Sequence, residues 1–298
     1  MRKLVGLVCT MVVALAAGAA NAQMVKDAAA ARAEVQRMWG FTPGFIKAFP
    51  DVALPGAWEE MKTLQMNPTT ALNGKQKELI GLAVASQIPC EYCIYAHSEF
   101  AKLNGATQAE IGEAVAMAGL TRHWSTFLNG LQPDETKFRA DVAKGLAHMK
   151  ASMSAKTPPK PIDVVDAKSA REDMVQSFGP EMAELFGKFP PEALAAAWRE
   201  EKDVELAQTS LDSKTKSLVA VAVAAQIPCR YCIIADTEFA KAGGASPREL
   251  NEALAMASHV RNWSTVLNGL QVDRATFKKD VDKVVKNVKK ALPKTASR

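Results

Sequence analysis

Glu78, Cys90, Cys93 and His97 are the residues of this 298-residue sequence whose types and spacing could do chemistry together. On a helix beginning at Pro89, the two cysteines and the histidine fall at i, i+3 and i+7, along one face. The cysteines then occupy the first turn, where free amides and the helix dipole favour a thiolate. His97, four residues beyond Cys93, is close enough to exchange a proton with that sulfur. Glu78, on the preceding helix, can accept the proton if the two helices pack side by side. A thiol must be deprotonated to attack a peroxide or a disulfide, a second thiol resolves the product, and acid–base groups move the released proton. Helix-terminus electrostatics alone would choose Cys90, nearer the positive end, as the attacking sulfur.

The elements that must position these groups occur twice. Ile88-Pro89-Cys90-Glu91-Tyr92-Cys93-Ile94 returns as Ile227-Pro228-Cys229-Arg230-Tyr231-Cys232-Ile233, 139 positions later. The same displacement carries Trp124-Ser125-Thr126 onto Trp263-Ser264-Thr265 and Leu128-Asn129-Gly130 onto Leu267-Asn268-Gly269. Upstream, Trp58 matches Trp198 at a displacement of 140, so one residue was lost or gained between Trp58 and Lys75. A period this long indicates a duplicated domain, since solenoids repeat every ~20 to 50 residues. The proline-rich stretch 157–163 reads as an extended linker between domains at 23–156 and 164–298.

Alanine, leucine, lysine and glutamate dominate both copies, and no sustained alternation of β-branched residues appears, so the fold class is all-α. Asn73 and Asp212 are candidate N-caps for the helices leading to the cysteines. Pro89 and Pro228 suit the first turn of the next helix. Thr107 with Glu110, and Ser246 with Glu249, read as capping boxes after glycine stops at Gly105 and Gly244. The recurring tryptophans Trp58, Trp124, Trp198 and Trp263 fit packing, and the methionines read as gap fillers. His123, His148 and His259 lie beside no comparable set of reactive residues.

At the N-terminus, Arg2 and Lys3 precede an apolar run that ends in Ala20-Asn21-Ala22, the pattern of a cleavable secretory signal over 1–22. The apolar run is shorter than the ~20 residues needed to span a bilayer. Cleavage after Ala22 would give a soluble periplasmic or secreted protein, with no membrane association once the signal is removed. It would also take the net charge from +5 to +3 and leave two Cys-x-x-Cys pairs, after Cys9 departs. The basic tail around Lys278 to Lys290 reads as a solvated helix face rather than a nucleic-acid site.

The spacing Glu78-x11-Cys90-x2-Cys93-x3-His97 resembles the motif of alkylhydroperoxidase D, within the carboxymuconolactone decarboxylase superfamily. The resemblance is best over about 75–119 and applies again to the second copy. It implies two tandem helical domains related by pseudo-twofold symmetry and a homo-oligomer of the two-repeat chain. It further implies a hydroperoxide substrate and a dithiol reductant, with no metal, haem or flavin cofactor. By that resemblance Cys93 attacks the peroxide, Cys90 resolves the product, and Glu78 with His97 relays the proton. One departure is Tyr92, where the family often carries a histidine between the cysteines.

In the second copy, Ser217 stands twelve positions before Cys229 and Asp236 four after Cys232, so the relay is missing at both ends. A charged Asp236 would oppose a thiolate one turn away, which reads as a degraded site. Rival readings are a structural staple at each pair, thiol–disulfide exchange, lactone decarboxylation and a non-catalytic helical binding protein. A staple closing only two residues removes little chain entropy, and a zinc site of four thiolates is disfavoured because the pairs belong to separate copies.

Overall fold

The computed structural model describes residues 24–155, 157 and 159–291; the expected signal segment and its cleavage point lie outside these. Every regular element among the described residues is helical. No helix among them is long and apolar enough to cross a membrane. The chain divides into two compact units, one containing 24–111 with 251–291 and the other 112–250. The units therefore do not coincide with the sequence repeats: each joins the early helices of one copy to the closing helices of the other.

The first unit contains helices α1 (Ala28–Trp39), α2 (Gly44–Ala48), α3 (Leu54–Glu60), α4 (Gly74–Gln87) and α5 (Glu91–Leu103). The start of α6 (Gln108–Leu131) and most of α13 (Pro247–Gly269) belong to it too, and α14 (Arg274–Ala291) completes it. Helix α4 pairs with α5, and α14 lies along α5. Asn73 caps α4 by accepting the backbone N–H of Gln76, and the Gln76 side chain returns the bond, forming a full capping box. Nine consecutive residues of α4, Lys77 to Ala85, are buried. Such all-round burial places α4 at the centre of the unit.

A π-helical turn, Met61–Gln65, extends α3, and the Met66 N–H reaches back to the Met61 carbonyl at 2.9 Å. Isolated π turns of this kind are frequent at functional sites. The wholly buried Lys77 fixes the segment after the turn: its Nζ donates to the carbonyls of Leu64 at 2.7 Å and Asn67 at 2.6 Å. Its charge is balanced by Glu252 at 3.3 Å. A buried ammonium without such partners would cost several kcal/mol, so these contacts are what permit it.

The second unit holds the remainder of α6, then α7 (Glu135–Met153), α8 (Ala167–Phe178), α9 (Pro180–Phe186), α10 (Pro191–Glu201), the π turn Lys202–Leu206, α11 (Ser213–Gln226) and α12 (Arg230–Ala242). Helices α11 and α12 repeat the pairing of α4 and α5. Asp212 caps α11 by accepting the Thr215 N–H, as its position before the apolar run suggests. Thr107 with Glu110 and Ser246 with Glu249 exchange the reciprocal bonds of capping boxes, and Gly105 and Gly244 take the positive φ their helix stops require. The four recurring tryptophans are buried.

Candidate functional site

Helix α5 begins at Glu91, two residues later than the proline suggests. Pro89 precedes the N-cap, which is Cys90, and the Cys90 Sγ accepts the Cys93 backbone N–H at 3.3 Å. The sulfur thus does the work that Ser or Asp does at other helix starts, satisfying an amide that would otherwise lack a partner. Cys229 caps α12 in the same way, accepting the Cys232 N–H at 3.2 Å.

Within the first unit all four predicted residues are buried, and they meet as two pairs. Cys90 and Cys93 are free thiols with their sulfurs 2.7 Å apart. His97 Nδ1 lies 2.7 Å from Glu78 Oε2, joining α5 to α4 through a buried pair. Tyr92, which replaces the family histidine, turns away from this pair and donates its hydroxyl to the Val272 carbonyl at 2.5 Å. Tyr231 makes the matching bond to the Pro133 carbonyl in the second unit. The tyrosine therefore braces the fold in both copies.

Four further residues join the site that the sequence did not single out. Asn268 donates its Nδ2–H to Cys90 Sγ at 3.5 Å and to the Ser264 carbonyl at 2.8 Å, and the Ser264 side chain also bonds to Cys90. Gln65, on the π turn, donates Nε2–H to Glu78 Oε1 at 3.0 Å. With its amide hydrogens on the carboxylate, Gln65 presents Oε1 to His259 Nε2, 3.2 Å away, and the imidazole must donate there. His259 Nδ1 then faces Glu60 at 3.6 Å. A string of groups runs from the half-exposed Glu60 through His259, Gln65 and Glu78 to His97. His259 is thus drawn into the site, although the sequence around it gave no such sign. Ser264 and Asn268 did carry a signal, since both recur as Ser125 and Asn129.

The surroundings separate the two sulfurs. The hydrogen bond from Cys93, opposed by burial and aided by Ser264, the Cys93 amide and Asn268, brings Cys90 down to about 6 from 9.0. The Cys93 thiol is pushed far up, because it would share that bond with a thiolate and because it is buried. Negative charge in the resting pair belongs on Cys90, as helix-terminus electrostatics alone would suggest. Attack by Cys93 then requires transfer of its proton.

In the second unit Cys229 and Cys232 form a disulfide. Ser217 is buried and its hydroxyl bonds back to the Ser213 carbonyl of its own helix at 3.0 Å, so it offers nothing to the sulfurs. Asp236 is buried one turn beyond Cys232. Among the described residues no group of three or more His, Cys, Asp or Glu is arranged to hold a metal ion.

The chain matches the carboxymuconolactone decarboxylase family twice, over residues 53–135 and 192–275. No curated protein matches it significantly in sequence. A crystal structure of a chain from Burkholderia xenovorans LB400, described provisionally as a gamma-carboxymuconolactone decarboxylase subunit, aligns with 17% identity and a TM-score of 0.42. That alignment covers 90% of this chain and 99% of the other.

Proposed function

The chain belongs to the carboxymuconolactone decarboxylase family through both of its repeats, and from that premise we propose that it is an exported thiol-dependent peroxidase of the alkylhydroperoxidase D type. The observation that carries this reading is the buried Glu78–His97 pair, 2.7 Å long, in the same unit as two free sulfurs 2.7 Å apart. A pair of thiols with an adjacent acid–base couple is what peroxide reduction needs, and lactone decarboxylation has no use for the thiols.

In this reading Cys93 passes its proton to the His97–Glu78 pair and attacks the terminal oxygen of a hydroperoxide. The O–O bond breaks, the alkoxide takes the proton and leaves as an alcohol, and Cys93 becomes a sulfenic acid. Cys90, already favoured as a thiolate, attacks the Cys93 sulfur and displaces hydroxide, which is protonated to water. The product is the Cys90–Cys93 disulfide, and an external dithiol returns it to the reduced pair.

The test is turnover of an organic hydroperoxide by the reduced mature protein with a small dithiol as electron donor. Cys93→Ser abolishes turnover. Cys90→Ser permits one turnover and leaves a trappable sulfenic acid on Cys93. Undiminished turnover in Cys93→Ser, or a sulfenic acid found on Cys90, overturns the assignment.

A further inference from the structure

Helix α6 carries a set of residues that the cysteine chemistry does not use. Gly119, Arg122, His123 and Thr126 fall at i, i+3, i+4 and i+7, along one face, with Phe127 at its edge. Together with Phe189, from the turn between α9 and α10, they line a cleft of about 520 Å³ in the second unit. That volume lies within the ~300 to 1,000 Å³ of small-molecule sites.

The walls are aromatic. The Phe127 and Phe189 rings meet edge to face with centroids 5.1 Å apart, and the His123 ring lies 5.4 Å from Phe189 and 4.9 Å from Trp124. Trp124 packs in turn on Phe186 at 4.8 Å and Phe189 at 5.7 Å, so buried residues hold the wall from behind. A wall supported in this way has its shape before a ligand arrives, which lowers the cost of binding.

The Arg122 guanidinium is uncommitted. Thr126 spends its hydroxyl hydrogen on the Arg122 carbonyl at 2.9 Å. The Arg122 side chain is exposed and makes no ion pair or hydrogen bond among the described residues. A planar fork of donors beside aromatic faces suits a carboxylate joined to a flat ring, since the guanidinium can take both oxygens while the rings take the apolar body.

The first repeat lacks half of this arrangement. Arg261, Thr265 and Phe49 keep Arg122, Thr126 and Phe189, but Ser258, Asn262 and Val266 stand where Gly119, His123 and Phe127 do. Each of those exchanges removes room or ring surface. Glycine inside a helix is unfavourable, and at Gly119 no neighbour demands it: a Cβ would meet nothing within 4 Å. Open space in the cleft is what the glycine supplies.

We propose that Gly119, Arg122, His123, Phe127 and Phe189 form a binding site for an aromatic carboxylate. Arg122 pairs with the carboxylate, the ring lies against Phe127, Phe189 and His123, and Gly119 leaves the room that admits it. Arg122 thereby selects the acid over an uncharged analogue of the same shape. The site is independent of the peroxidase reading.

The test titrates the full mature chain with cinnamate, and with cinnamamide as its uncharged match, by calorimetry. Cinnamate binds saturably with a Kd below about 1 mM, and cinnamamide about tenfold more weakly, the scale of a charge-assisted hydrogen bond. Arg122→Gln brings cinnamate down to the affinity of the amide and leaves the amide unchanged. Gly119→Ser, which copies the first repeat, keeps the melting temperature and abolishes binding of both. Absence of saturable binding, equal affinity for acid and amide, or undiminished binding in Gly119→Ser overturns the proposal. So does dissociation of a parent oligomer by Gly119→Ser, read by light scattering, because a second copy of the chain then covers the cleft.

Discussion

Gly81 lies directly beneath the His97 ring: a Cβ at this position would come within 2.5 Å of both Cε1 and Nδ1. Glycine inside a helix costs roughly 1 kcal/mol relative to alanine, so its presence in the buried α4 calls for a reason. The reason is room for the imidazole that pairs with Glu78. In the second repeat the matching position is Ala220, facing a helix that carries the smaller Asp236 instead.

Gly81→Ala is therefore expected to displace His97, break the pair with Glu78, and lower peroxide turnover by roughly a hundredfold, the scale of a small misplacement in an active site. Combining Gly81→Ala with His97→Asp, which reproduces the second repeat, should recover thermal stability without recovering turnover. Additive destabilisation in the double variant would show that the glycine does not serve the imidazole.

Gln65 and His259 are positioning residues, since they reach the chemistry only by holding Glu78. In the second unit Glu205 replaces Gln65 and Leu120 replaces His259, at the same time as Glu78 and His97 are lost. His259→Leu and Gln65→Leu should each reduce kcat/KM about tenfold and change its pH profile, with His259→Gln restoring part of the loss by donating to Gln65. A drop in stability with an unaltered pH profile would assign them to packing alone.

Alkylation of the reduced protein should report the sulfur environment. Cys90 is expected to reach half-maximal reactivity near pH 6, where an ordinary thiol needs about 9. Removing donors by Ser264→Ala and Asn268→Ala should move that midpoint upward. The same shift bears on stability. A folded-state value below the unfolded one contributes stability that is complete above about 9 and lost as pH falls through about 6. Cys90→Ser should accordingly flatten the pH dependence of stability between those limits.

Glu113 organises the loop before α11. Its carboxylate accepts from the backbone N–H groups of Ser210 at 2.9 Å and Leu211 at 2.8 Å and from the Thr209 hydroxyl at 2.7 Å. These bonds outweigh burial and lower it to about 2 from 4.5. The contribution is present above 4.5 and lost as pH falls through about 2. Glu113→Gln should be less stable than the parent at neutral pH, and the difference in urea midpoint should shrink as pH falls through that window. A constant difference would mean that the charge of Glu113 is not what holds the loop.

Much of the local structure was legible from residue order. The Asn73 and Asp212 caps, the two capping boxes and the glycine stops depend on side chains reaching backbone a few positions away, so spacing alone reveals them. The alignment of Cys90, Cys93 and His97 is legible for the same reason: helical geometry relates them without reference to any other element. The proline misled by two residues, because a cysteine sulfur can cap a helix and Cys90 took that place.

The sequence by itself determined the duplication, the helical class and which residues carry thiol chemistry, because each of these follows from periodicity and short-range spacing. Only the tertiary structure decided that each compact unit draws on both repeats, so that Ser264, Asn268 and His259 serve the Cys90–Cys93 site from far along the chain. It also supplied the donors from Ser264 and Asn268 that favour charge on Cys90, and it buried Asp236. Those outcomes depend on desolvation and on donors brought in by packing, and neither quantity is written in the spacing of residues along one helix.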